Sequence, residues 1–124
     1  MTEEAVTPRP AHRWYARPVF FVTDVDRALR FYVGMLGFEK SWHAGGGTGG
    51  VCQVNRSECE IILCQDDTRR DKARLFVELT SAGLADLRRE LAIQSVPVTE
   101  TWWGYDSLQV TDPDGNELLF PIPE

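Results

Sequence analysis

One pattern of elements occurs twice in this chain, and it constrains the fold more than anything else in the sequence. "PVFFV" at 18–22 is β-branched and aromatic, the make-up of a buried strand. Asp24 follows where a helix N-cap belongs, and Asp26 lies in the first turn, where the helix dipole favours an acid. In "VDRALRFYVGML", Val25, Ala28, Leu29, Tyr32 and Leu36 recur at helical spacing, and Gly37 ends the run. "FEKSWH", a glycine-rich bend, "VCQV", the turn "NRSE" and "CEIILCQ" then read as three strands. The charged stretch "DDTRRDK" (66–72) is loop-like and marks a boundary. Beyond it the order returns. "ARLFVEL" is a strand, and "SAGLADLRRELAIQ" a helix with Leu84, Leu87 and Leu91 on one face. "VPVTETW", "DSLQVTD" and "ELLFPI" are three more strands, the last pair joined by "PDGN". A βαβββ unit of about fifty residues is thus used twice, as a repeat of pattern and not of residue identity. The division expected is an N-terminal arm over 1–17, a first module over 18–66 and a second over 67–124, within one domain.

Composition narrows the class. A chain of 124 residues with 43% hydrophobic and 26% charged residues fits one soluble globular domain with its own core. No stretch reaches the roughly 18–20 apolar residues of a membrane span. The first residues are acidic and lack the apolar run of a signal peptide. Cys52, Cys59 and Cys64 are odd in number and show no CxxC spacing, so they read as reduced thiols in a cytoplasmic protein. A net charge of −6 argues against nucleic acid, which needs a basic face, and suits a cationic ligand. The expected partners are therefore a small molecule and a second copy of the chain, with neither nucleic acid nor membrane.

With "VTDVDRALRFYVGMLGF" early and "VTDPDGNELLF" late, the βαβββ–βαβββ order resembles the vicinal oxygen chelate superfamily, over about residues 16–122. That group holds glyoxalase I, extradiol dioxygenases, fosfomycin-resistance enzymes and bleomycin-resistance proteins. The resemblance implies an α+β fold in which the two modules form a curved mixed-sheet cleft. Trp103 and Gly104, just before the strand leading to the Asp-Pro-x-Gly-Asn turn, look most like the bleomycin-resistance branch. One fold hosts many chemistries, so the site residues have to carry the function.

The resemblance also supplies a metal test. In the metal-dependent fosfomycin-resistance enzymes two histidines and a carboxylate hold the ion, and the matching positions here are Arg17, Arg74 and Leu119. Arginine is permanently charged and cannot ligate a cation, and leucine has no donor atom. Divalent metals need nitrogen or oxygen donors. His12 lies in the N-terminal arm and His43 at the end of the second strand, and Glu117 shares a strand face with Leu119 but is a single carboxylate, so neither metal nor cofactor is expected.

Other chemistry finds little footing. Gly45, Gly47 and Gly50 spell GxGxxG, but a strand follows them where dinucleotide binding needs a helix. The bland reading is a flexible loop over a cleft. There is no GxSxG and no GK[ST], and Cys52 and Cys64 sit in strands as small core residues.

What stands out is aromatic. "TETWWGYDS" places Trp102, Trp103 and Tyr105 within four residues, and Trp42 lies on the second strand. Each ring has an alternative place in the core or a dimer interface. Together, flat faces suit a planar or cationic ligand. The resemblance implies that Trp103 stacks on such a ligand, as its counterpart does on the bithiazole rings of bleomycin. The opposing loop aromatic of that family is replaced here by "AGGGTGG". Alternation along "RLFVE" puts Arg74, Phe76 and Glu78 on the cleft side, and alternation from Arg17 adds Val19 and Phe21. Glu78 would pair with a ligand cation, or else be solvated or salt-bridged, with Arg74 as a partner. Family members of this size form homodimers in which two half-clefts combine, often with an exchanged N-terminal strand. Pro8, Pro10 and Pro18 suit such an extended arm. The sequence favours a metal-free protein that sequesters a planar antibiotic or metabolite, cationic ones included. The alternative is a glyoxalase-like or dioxygenase-like enzyme using Glu117, Glu78 or His43.

Overall fold

The computed structural model describes residues 14–45, 50–69 and 71–123. Much of the expected arm, and the middle of the glycine-rich loop, lie outside these residues. The elements come in the expected order. β1 (Val19–Val22) leads to α1 (Val25–Leu29), which continues as a π-helix over Arg30–Met35. β2 (Glu39–Ala44), β3 (Val51–Arg56) and β4 (Cys59–Gln65) complete the first module. β5 (Arg74–Phe76), α2 (Ser81–Ile93), β6 (Thr99–Trp102), β7 (Asp106–Thr111) and β8 (Glu117–Pro121) form the second. The sheet orders are β1-β4-β3-β2 and β5-β8-β7-β6, so each module repeats the same mixed topology. In each, the first strand pairs parallel to the last and the others are antiparallel.

Local chemistry sets the helix ends. Asp24 accepts hydrogen bonds from the Asp26 and Arg27 amides at 2.9 and 3.3 Å, capping α1. Thr80 does the same for α2 through the Gly83 amide at 3.1 Å. Gly37, at φ +76°, turns the chain out of the helix in a conformation that disfavours any Cβ. The π segment is a finding the 3.6-residue spacing did not contain. The Leu36 amide reaches back to the Phe31 carbonyl at 3.0 Å, and the wider turn puts Phe31 in the core beside Tyr32.

Strand alternation sorts the side chains. Phe20, Val22, Cys52, Val54, Ile61, Leu63, Leu108, Val110, Leu118 and Phe120 face the helices and join one continuous core with Leu84, Leu87 and Leu91 of α2. A fully buried Leu or Phe contributes about 1.5–3 kcal/mol, so these faces fix the registers. Cys64 departs from the expected core placement: it alternates with Leu63 onto the opposite face and is half-buried, while Cys52 is in the core. All three thiols are unpaired. β5 is shorter than "ARLFVEL" suggested, because pairing with β8 ends as the chain leaves toward α2, with a last bond from the Val77 amide to the Leu119 carbonyl.

The modules are joined by the "DPDGN" turn, which docks on the β1–α1 corner. Asp114 Oδ1 accepts from the Thr23 amide, the Thr23 hydroxyl and Arg27 Nη2 at 3.1, 2.8 and 3.0 Å. Asn116 Nδ2 donates to the Phe21 carbonyl at 3.1 Å, and its Oδ1 accepts from the Ala73 amide at 3.0 Å. Gly115 takes φ +92°, with the Lys72 side chain lying where a Cβ would be.

Candidate ligand-binding site

Phe21, Trp42 and Phe76, three of the sequence-predicted site residues, lie on the sheet faces turned away from the helices. On the second sheet this face carries Arg74 and Phe76 from β5, Glu117 and Leu119 from β8, Ser107 and Gln109 from β7 and Thr101 from β6. The corner after β6 returns Trp103 and Tyr105 over this face, held by a hydrogen bond from the Trp103 amide to the Tyr105 carbonyl at 3.0 Å. Phe76 is the hub. Its ring meets Trp103 edge-on at 6.1 Å and Tyr105 at 6.2 Å between centroids, geometries that favour the aromatic quadrupoles. All three rings stay open to solvent, at 44% for Trp103, 40% for Phe76 and 48% for Tyr105.

Leu119 lies at the centre of this face, paired with Phe76 and Gln109, and is fully buried. It makes an apolar floor. Arg74 Nε donates to Glu117 Oε1 at 2.7 Å, and the guanidinium carbon sits 5.0 Å above the Trp103 ring. Glu117 is therefore Arg74's partner, in place of the Arg74–Glu78 pair that the sequence left open. Glu78 is exposed and stands apart from this pair.

Trp42 and Phe21 are on the other sheet. Trp42 Nε1 donates to Gln53 Oε1 at 3.0 Å, which also accepts from Arg17 Nη1 at 2.5 Å. Gln53 Nε2 donates to Asn55 and Glu60, at 3.0 and 3.2 Å, so this buried amide organises the face. Spacing alone gave no sign of Gln53. Its signal was position: it alternates out of the core beside Val19 and Phe21, on the strand after the glycine-rich loop. The Phe21 ring is stacked by Arg69 at 4.1 Å. Among the described residues no ring contact joins Phe21 or Trp42 to the Phe76–Trp103–Tyr105 group. Trp102 does not join either. It pairs with Asp106 on the helix side of β6 and is 71% exposed.

The residues present do not fit a metal. Arg17 and Arg74 are committed to Gln53 and Glu117, and Leu119 offers no donor. Among the described residues no three His, Cys, Asp or Glu side chains are grouped to hold an ion. The catalytic alternative lacks convergence. His43 pairs with Cys52 and so shares the helix-facing side of its sheet, while Glu117 lies on the opposite type of face in the other module. The glycine loop joins antiparallel β2 and β3, which removes the strand-to-helix context of a dinucleotide motif.

Two cavities adjoin these residues, the first taking in Phe76 and Glu78 and the second Phe21. One of about 580 Å³ opens between the modules on the helix side, lined by core residues such as Leu36, Phe38, Leu87 and Phe120 with Arg56 and Glu90 at its rim. At its rim Arg56 bonds the Leu36 carbonyl and Glu90. A smaller one, about 240 Å³, lies beside Asp114 and Phe21. On the aromatic face, open rings and a charged pair converge over Leu119.

Comparison with known proteins agrees with this architecture. A bleomycin-binding protein from bleomycin-producing Streptomyces verticillus, solved with copper(II)-bleomycin, is 25% identical with a TM-score of 0.68, covering 90% of this chain and 97% of that one. Lactoylglutathione lyase from Agrobacterium tumefaciens is 17% identical with a TM-score of 0.67, covering 94% and 96%. An integron cassette protein from the mobile metagenome of Halifax Harbour sewage outfall is 18% identical with a TM-score of 0.72, covering 88% and 98%. No curated protein matches the chain. No described helix is long and apolar enough to cross a membrane. The family profile of the Glyoxalase/Bleomycin resistance protein/Dioxygenase superfamily matches residues 14–120, and the chain belongs to that superfamily.

Proposed function

We propose that this protein is a metal-free, non-catalytic binding protein that sequesters a planar small molecule, an antibiotic or a flat metabolite. The observation that carries the reading is the Phe76–Trp103–Tyr105 wall over the buried Leu119 floor. A ligand ring laid there covers open aromatic surface and leaves no buried polar group unpaired. The likeness to a bleomycin-binding protein adds to this reading. The same reading makes the protein a cytoplasmic homodimer. In such a pair the Phe21–Trp42 face of one protomer stands opposite the Trp103 face of its partner and closes a half-cleft into a slot. Tryptophan fluorescence titration with bleomycin and other flat antibiotics tests the proposal. A saturable change that Trp103→Ala abolishes is the expected result. Equal binding by that variant, or no change with any of these compounds, refutes it. Stoichiometric zinc, nickel, manganese or iron in protein purified without chelator would refute the metal-free part.

A further inference from the structure

We propose that the ligand of the aromatic face carries a carboxylate on its planar body and that Arg74 receives it. This rests on the small-molecule reading given above and goes on to fix the ligand's charge. An open indole face is a seat for cations. Over Trp103 that seat is already filled by the protein's own guanidinium, at 5.0 Å. A cationic ligand group approaching the ring meets a like charge first, and arginine cannot shed its proton to admit it. The acidic net charge of the chain is therefore not what the ligand meets at this face.

How Arg74 is held decides what it can still do. Only Nε is engaged, by Glu117 Oε1 at 2.7 Å. The two terminal amino groups make no hydrogen bond among the described residues, and the side chain is half exposed. Stacking on Trp103 and the bond to Glu117 fix the plane of the guanidinium. The end-on edge, Nη1 with Nη2, is left as a pre-set fork that matches a carboxylate with two parallel bonds. Because the ordering is already done before binding, little side-chain entropy is lost when the ligand arrives. Glu117 is 18% exposed and occupies the inner side of the guanidinium, away from that edge. Glu78 lies past the end of β5, and among the described residues it makes no ion pair with Arg74. The remainder of the face offers neutral groups, the Thr101 and Ser107 hydroxyls and the Gln109 amide, which tolerate an anionic ligand.

Three probes of one shape separate the possibilities: 2-naphthoate, 2-naphthamide and 2-naphthylmethylammonium, titrated against the full chain by tryptophan fluorescence at low salt. The naphthoate is expected to bind about tenfold more tightly than the amide, as one charge-assisted pair predicts, with the ammonium weakest. Arg74→Gln should bring the naphthoate to the level of the amide, and Arg74→Lys, which keeps charge without the fork, should fall between. If the amide or the ammonium binds wild-type protein as tightly as the naphthoate, the proposal is overturned while the small-molecule reading stands. If Arg74→Gln keeps the preference, the proposal is likewise overturned. If none of the three binds, both fall. Circular dichroism checks that Arg74→Gln is folded; should it not be, the wild-type ranking and Arg74→Lys decide.

Discussion

Asp112 is a carboxylate kept inside a protein by its neighbours. Oδ1 accepts from the Asp114 and Asn116 amides at 2.8 and 2.9 Å, and Oδ2 from the Tyr32 hydroxyl and Asn116 Nδ2 at 2.9 and 3.0 Å. Burial still wins over these bonds and holds its pKa above the ordinary carboxylate range. The same burial, with Asp112 beside it, drives the Tyr32 hydroxyl well above its usual value. The folded state thus binds a proton at Asp112 more readily than the unfolded chain does. Its contribution to stability is fully present below about pH 3.9 and is lost as pH rises through the folded pKa. Urea titrations of wild type and Asp112→Asn across mild acid should show the wild-type advantage shrinking as pH rises, then levelling. A difference that grows with pH would contradict this. Tyr32→Phe leaves the carboxylate one donor short, and a loss of about 1–3 kcal/mol is expected at neutral pH.

At the scale of elements, two glycines around α1 give opposite expectations. Gly34 lies in the π segment with helical backbone, and a Cβ added there would meet nothing within 4 Å. Gly34→Ala should stabilise the protein by about 0.4–1 kcal/mol, by restricting the unfolded chain. Gly37→Ala should cost about 1 kcal/mol or more, since φ is +76° and Arg56 Nη1 would lie 3.3 Å from the new carbon. Thermal melts of the two variants check both signs. The sequence was informative where one physical rule governed an element. Asp24 as cap, Leu84, Leu87 and Leu91 as one face, and the strand "CEIILCQ" over 59–65 all follow from local pattern. It was silent where contacts between elements decide. Nothing local marks the π turn that buries Phe31, or the alternation that puts Cys64 outside the core. At the site, alternation grouped Arg74 and Phe76 with Glu78 on one strand and Glu117 with Leu119 on another, and the β5–β8 pairing brings Arg74, Phe76, Glu117 and Leu119 together. Alternation could not say that Glu117, and not Glu78, takes the arginine, because that choice depends on the β5–β8 register.

For the whole molecule, a small polar cluster at the "DPDGN" turn adds to the shared core in tying the modules together. Asn116 bonds the Phe21 carbonyl, the Ala73 amide and Asp112, linking both modules through one buried amide. Asn116→Ala should cost about 2–4 kcal/mol, since it orphans several buried partners at once, and denaturant midpoints measure it. The open faces are consistent with the homodimer proposed above. Val19, Trp42, Phe76, Trp103 and Tyr105 leave apolar surface uncovered on both sheets, and pairing with a second copy would shield it.

The polar cluster also sets a schedule for the growing chain. Thr23 is bonded to Asp114, 91 positions later, and Tyr32 to Asp112, 80 positions later. While a ribosome makes this protein, the first module emerges with the Phe21 carbonyl and the Tyr32 hydroxyl still lacking their partners. At about 5–20 residues per second, several seconds pass before residues 112–116 exist to receive them. The first βαβββ unit thus leaves the ribosome seconds before the groups that tie it to the second unit exist.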